Sequence, residues 1–345
     1  MTESLLPAGV DVSFAEIESA LAGSSVDTPR AGGAALTATV VVAGPRNRLV
    51  EAAQAIGALK DVGVRSVLIS YGDDPEPAVR VAGHAVALEG LRPDYLNNAV
   101  AALRLSSLPT LVWWRGGGTK DIEGLAALAD RLVLDAEEPR DVWKSIENLA
   151  QRTAVSDLRW ARLTRWRALM AHFFDIPEVC AAASGFSTLR VEGSDRPAMC
   201  LFAGWILSIL GSGQRIVPDL HEQASLAPIE AVALGDGTQQ LLLRMAANRT
   251  CVQTVAEVSN LPLAARTVSL GDQRLAALLS EELRIRARDL AFERAVAASR
   301  AVSCLSSFPP PIIVRPVSST YSTACWTRDW SSRETSRYRL PRSSS

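Results

Sequence analysis

The chain has 345 residues, 36 basic and 37 acidic, giving a formal net charge of −1, and 48 % of it is hydrophobic. That length suggests about two domains, and the apolar fraction is ample for buried cores, which excludes wholesale disorder. Near-zero charge excludes a generic nucleic-acid or membrane-surface binder, because both need a strong basic excess.

In chain order, residues 1–35 read as a short amphipathic helix (14–21) and a linker rich in Gly, Ser and Ala. Residues 36–43 are a β-branched run closed by Gly44-Pro45, the pattern of a buried strand. Leu49, Ala52, Ala53, Ile56 and Leu59 have helical spacing over 47–60. Strands are expected at 65–70 and, as one extended stretch, 79–88. A helix (95–105), a strand (108–114), a helix (121–129), a strand (131–135) and a helix (139–152) follow. This alternation predicts an α/β domain over 36–150 with a mostly parallel sheet covered on both faces. Strand carboxyl ends in such sheets are common ligand positions.

A strong helix over 158–174 leaves that domain. Residues 187–192 alternate polar and apolar, and Ser194-Asp195 can cap an apolar helix over 197–210, with Pro197 in its first turn. Extended runs at 227–234, 239–247 and 250–259 follow, the first two joined by the turn signal Gly235-Asp236-Gly237. Residues 266–270 add a strand. One long helix is expected over 272–300, burying Leu275, Leu279, Leu283 and Leu290. Residues 151–300 are therefore a connecting helix plus a smaller α+β domain with an antiparallel sheet. Residues 301–345 hold 12 Ser, 5 Pro and 6 Arg without periodicity. They predict a disordered tail. Its mixture of Trp326, Trp330 and Cys325 with Ser and Arg suggests a shifted reading frame.

The N-terminus has no apolar core with a cleavage site, unlike a signal peptide. The longest apolar run, 198–210, is short of the ~20 residues of a spanning helix. Five widely spaced cysteines without CxxC fit reduced thiols in the cytoplasm. Three histidines without ligand spacing predict no metal site. His172, in an apolar run, reads as an interior hydrogen-bonded residue. The acid pairs Asp73-Asp74, Glu137-Glu138 and Glu281-Glu282 read as solvated faces.

Catalytic motifs are missing from the sequence. Gly44-Pro45-Arg46-Asn47 stands where a dinucleotide-binding GxGxxG would follow the first strand. There is no GxxxxGKS/T and no GxSxG. Gly116-Gly117-Gly118-Thr119 is a glycine cluster that could cradle an anion or simply form a flexible loop. The most unusual segment, 155–175, interleaves Trp160 and Trp166 with Arg159, Arg162, Arg165 and Arg167. At 100° per residue these do not segregate to separate faces, so the helix is expected to touch protein on several sides.

LPTLVWWRGGG (108–118), LADRLVLDA (128–136), VSDLRWARLTRWRALMAHFFD (155–175) and CLFAGWILSILG (200–211) occur in this order. Together they resemble the glucose-6-phosphate dehydrogenase assembly protein family (OpcA type) over about residues 10–300. The resemblance implies a non-catalytic, cytoplasmic protein without a cofactor. Its implied partner is glucose-6-phosphate dehydrogenase, whose active oligomer it promotes in support of the oxidative pentose phosphate pathway and NADPH supply. Trp113, Trp114 and Arg115 match the family's strand end; Trp160, Arg162, Arg165, Trp166 and Arg167 match its helix. These eight are candidates for a partner or interdomain interface. In photosynthetic members cysteines are linked to thioredoxin control. Here Cys304 and Cys325 lie in the aberrant tail and the other three in apolar runs, so redox control is not expected. The rival reading is a sugar-phosphate or nucleotide-binding enzyme using the strand ends, and a third is a nucleic-acid-binding regulator acting through the Arg/Trp helix; both rank below the assembly factor.

Overall fold

A computed structural model of the chain describes residues 4–24, 35–59, 63–71, 77–117, 119–210, 216–259, 265–285 and 287–305. Most of the expected linker, Asp73-Asp74, Gly118 and the tail from 306 lie outside these residues.

The first half contains β1 (Val10–Asp11), α1 (Ile17–Ser24), β2 (Ala38–Pro45), α2 (Arg46–Gly57), β3 (Val64–Tyr71), β4 (Ala78–Ala82) and β5 (Ala85–Leu91). It continues with α3 (Leu96–Leu103), β6 (Thr110–Trp114), α4 (Thr119–Leu128), β7 (Arg131–Leu134), α5 (Arg140–Lys144), α6 (Ile146–Ala150) and β8 (Ala154–Asp157). The strands form one sheet in the order β1-β4-β5-β3-β2-β6-β7-β8. From β5 to β8 every neighbouring pair is parallel; β1 and β4 extend the edge antiparallel. The expected single stretch at 79–88 is a hairpin, because Gly83 takes φ +56° and turns the chain.

Burial on both faces explains the continuous apolar runs of β2, β3 and β6. Val41, Ile69, Val112 and Trp114 join one core with Leu96 and Val100 of α3 and Ile122 and Leu125 of α4. Val40, Val42, Leu68 and Trp113 join the other with Leu49, Ala52 and Ile56 of α2.

The second half contains α7 (Leu158–Arg162), α8 (Thr164–Phe173), α9 (Pro177–Ala183), β9 (Thr188–Gly193), α10 (Arg196–Leu210), β10 (Val217–Glu222) and β11 (Ala231–Gly235). It ends with β12 (Gln240–Met245), β13 (Cys251–Glu257), β14 (Ala265–Ser269), α11 (Leu275–Arg284) and α12 (Leu290–Leu305). Its sheet runs β10-β9-β11-β12-β13-β14. All pairs are antiparallel except β10 with β9. Alternation selects the inner face: Leu189, Val191, Val232, Leu234, Leu241, Leu243 and Val252 are buried in one core with Phe202 and Ile206 of α10 and Phe292 and Val296 of α12. Arg190, Arg244 and Gln253 point outward and are exposed.

Two expected helices are broken. Leu163 (φ −78°, ψ −7°) closes α7 and opens α8. The expected 272–300 helix is interrupted between Arg284 and Leu290, and Leu290 is 48 % exposed. The interruption separates two destinations. Leu278 and Leu279 of α11 pack on the first sheet's face beside α2, whereas α12 packs on α10.

Candidate functional site

The carboxyl ends of β2, β6, β7 and β8 lie side by side, and charged residues leave or end them: Arg46, Arg115, Asp135 and Asp157. Parallel pairing brings these four to one edge of the sheet.

Arg115 sits in the middle, with its side chain 4 % exposed. Its Nε lies 3.0 Å from Asp135 Oδ2. One terminal nitrogen donates to the Arg48 carbonyl at 2.6 Å and the other to Glu51 Oε2 at 3.1 Å. The guanidinium also stacks on Trp113, 4.7 Å from the ring centre. Burial drives the Asp135 carboxyl above its usual range, and Arg115, Arg162, Arg48 and Arg159 pull it back down. Only a dense guanidinium cluster makes a charged carboxylate tolerable at such a depth.

Asp157 is fully buried and caps α7 by accepting the Arg159 N–H at 2.8 Å. It also accepts from Trp143 Nε1 at 3.1 Å. Burial pushes its carboxyl up to about 6; Arg159 opposes the shift and Asp135 adds to it. Arg159 then carries the cluster toward the second sheet. Its Nε donates to both oxygens of Asp195, at 3.0 and 3.2 Å, and its terminal nitrogens donate to the carbonyls of Ala136 and Glu137. Asp195 caps α10 by accepting the Ala198 N–H at 3.1 Å, as its position before the apolar run predicts.

The same segment makes a second bridge. Arg167 is buried with its guanidinium 3.5 Å from the Trp160 ring centre. Trp160 Nε1 donates to Asp289 at 2.8 Å, and its ring packs on Phe292. A desolvated cation over an indole is worth about 2 kcal/mol.

Of the eight candidate residues, Trp113, Trp114, Arg115, Trp160, Trp166 and Arg167 are buried. Arg162 and Arg165 are half-buried. The structure brings Trp113, Arg115 and Arg162 to the strand-end cluster, and Trp160 and Arg167 to the contact with α12. Trp114 faces the opposite side of the sheet from Trp113, and Trp166 lies on α8 within the core shared with the second sheet.

Sequence reasoning did not single out Arg48, Asp135 or Asp157. The signal was the acidic residue at the end of each strand, in LVLD and VSD. It also placed Glu282 on a solvated face. Glu282 is buried, accepting from Ser156 Oγ at 2.8 Å and Arg131 Nε at 2.7 Å, because α11 turns that face onto the first sheet. His172 is exposed rather than interior and lies 3.1 Å from Asp175, since Met170 and Phe173 take the inward face of α8. Cys180 is also exposed, donating to the Phe174 carbonyl; burial of its sulfur and Asp175 raise its thiol pKa. Among the described residues no group of His, Cys, Asp and Glu is disposed to hold a metal ion, and no helix is long and apolar enough to cross a membrane.

Residues 153–296 match the family model for the carboxyl-terminal domain of the glucose-6-phosphate dehydrogenase subunit. The chain is 27 % identical over 124 residues to the putative OxPP cycle protein OpcA of Synechocystis sp.. That match takes in 33 % of this chain and 26 % of the relative, so it spans about a quarter of the relative's length. Among solved structures, the aldose-aldose oxidoreductase of Caulobacter crescentus superposes with a TM-score of 0.47 at 8 % identity, over 79 % of this chain and 96 % of that one. The super-repressor mutant of Gal80p from Saccharomyces cerevisiae gives 0.44 at 9 % identity, over 79 % and 95 %. Likenesses at that level bear on neither activity nor ligand. Two of the four segments that carry the resemblance in the sequence, 155–175 and 200–211, lie within the residues matched to the family model, and over 153–296 the chain is similar to that family.

Proposed function

We propose that this protein is a non-catalytic partner that binds glucose-6-phosphate dehydrogenase and promotes its active oligomer, supporting the oxidative pentose phosphate pathway and NADPH supply in the cytoplasm. The observation that carries this reading is the match of residues 153–296 to a domain named for that enzyme. The chemistry of the strand ends supports it. Arg115, Asp135, Arg159 and Asp195 are engaged with one another, an arrangement suited to holding two halves together rather than to turning over a substrate. On this reading the buried members of the Trp/Arg set hold the interdomain interface, and the partner meets surface outside them. Preferential binding to the active assembly shifts its population, and a difference of about 1.4 kcal/mol changes the ratio tenfold. Native mass measurement of the mixed proteins tests the association. A heavier species containing both chains is expected; two unchanged masses at micromolar concentration would refute it.

A further inference from the structure

Numbered among themselves, the six parallel strands stand in the order third, second, first, fourth, fifth, sixth. Sheets wound this way have a crevice where the order reverses, here between β2 and β6. A dinucleotide lies there in other proteins of this architecture, its pyrophosphate on the helix that follows the first strand. The residues at this switch point do not fit such a ligand.

Three features oppose it. The close backbone approach that a glycine would offer a pyrophosphate is taken by protein: a Cβ on Gly44 would lie 2.9 Å from Arg115 Cβ. The arginine side chains in the first turn of α2 are already paired. Pro45 precedes it and has no N–H, Arg46 is bound by Glu89, and Arg48 pairs with Glu137 at 2.6 Å. The crevice itself is filled. Arg115 reaches across it to the Arg48 carbonyl and Glu51 on α2 and to Asp135 beyond β7. Beside them the Tyr71 hydroxyl donates to the Gly116 carbonyl, and a Cβ on Gly117 would strike the Tyr71 ring, so this loop is held down.

We infer that Arg115 is the resident occupant of the switch-point crevice, closing it to nicotinamide and flavin dinucleotides and using it to tie α2, β6 and the end of β7 together. This inference stands on the strand-end geometry and is independent of the partner proposed above.

The test titrates the full-length chain with NADP, NADPH, NAD and NADH up to about 1 mM, the upper end of ordinary substrate affinities. Calorimetry is combined with amide hydrogen exchange of segments 44–52 and 110–117. No saturable heat and unchanged exchange in both segments are expected. Heat without protection there also leaves the crevice closed, because the ligand sits elsewhere. Saturable binding that protects both segments would overturn the inference. As a second arm, Arg115→Ala should speed exchange in 44–52 relative to 198–206, a distant core helix. Equal exchange in a folded variant would equally count against Arg115 as the occupant.

Discussion

Arg159 and Asp195 join the two halves of the molecule: the Arg159 Nε lies 3.0 Å from one Asp195 oxygen and 3.2 Å from the other. Arg159 starts the segment leaving the first sheet, and Asp195 caps a helix of the second. Asp195→Ala therefore removes a cap and an ion pair together, and should cost about 2 kcal/mol, of which the cap alone is about 1. Asp195→Asn keeps the cap and should cost about half as much. Urea denaturation of the two variants with Arg159→Ala, arranged as a double-mutant cycle, isolates the pair.

Glu282 should be the most sensitive carboxylate in the fold. Glu282→Ala leaves Arg131 buried and uncompensated, with Ser156 unpaired, and should lower stability by about 3–5 kcal/mol. Glu282→Gln retains an acceptor for Ser156 and should lose less. Thermal melting of both variants checks the order.

Gly204 is where α10 and α12 touch. A Cβ there would collide with the Ala295 carbonyl and lie 2.7 Å from the Ser299 nitrogen. Gly204→Ala should force the helices apart and cost about 1–3 kcal/mol in spite of its gain in helix propensity. Equal or higher denaturant midpoints would contradict that packing.

Asp157 makes stability depend on pH in an unusual direction. Its folded pKa, about 6, lies above that of the unfolded chain, so the native state holds the extra proton. Its contribution is present below about pH 4 and is lost as pH rises through 6. Glu89 runs the other way, because Arg46, Ser4 and the Leu5 N–H outweigh its burial and lower its pKa. The diagnostic is therefore the difference between Asp157→Asn and the parent chain. The variant's melting temperature should gain relative to the parent from pH 4 to 6.5. A constant offset would show that Asp157 does not titrate in that range.

The alternating architecture was legible because strands buried on both faces must be nearly continuous apolar runs, as in residues 38–43 and 110–114. The edges were not. β1 is two residues long, and β10 is a half-exposed strand of mixed polarity that carries no period. β8 is a four-residue strand that merges into the helical pattern of α7. The break between α11 and α12 was hidden for another reason. Both helices have one leucine-rich face, and nothing in the spacing says that the two faces cover different sheets. At the strand ends the Arg/Trp composition pointed to contact on several sides. Which carboxylates meet those arginines depends on partners far along the chain, 36 residues away for Arg159 with Asp195 and 64 for Arg115 with Glu51, and on burial.

The central claim is association with glucose-6-phosphate dehydrogenase. The most direct measurement is NADP reduction by the purified dehydrogenase of the same cell, with and without the full chain, with oligomer mass recorded in parallel. Higher activity at limiting substrate together with a shift to a heavier assembly is the predicted result. Unchanged activity and unchanged mass across a molar excess of this protein would contradict the account.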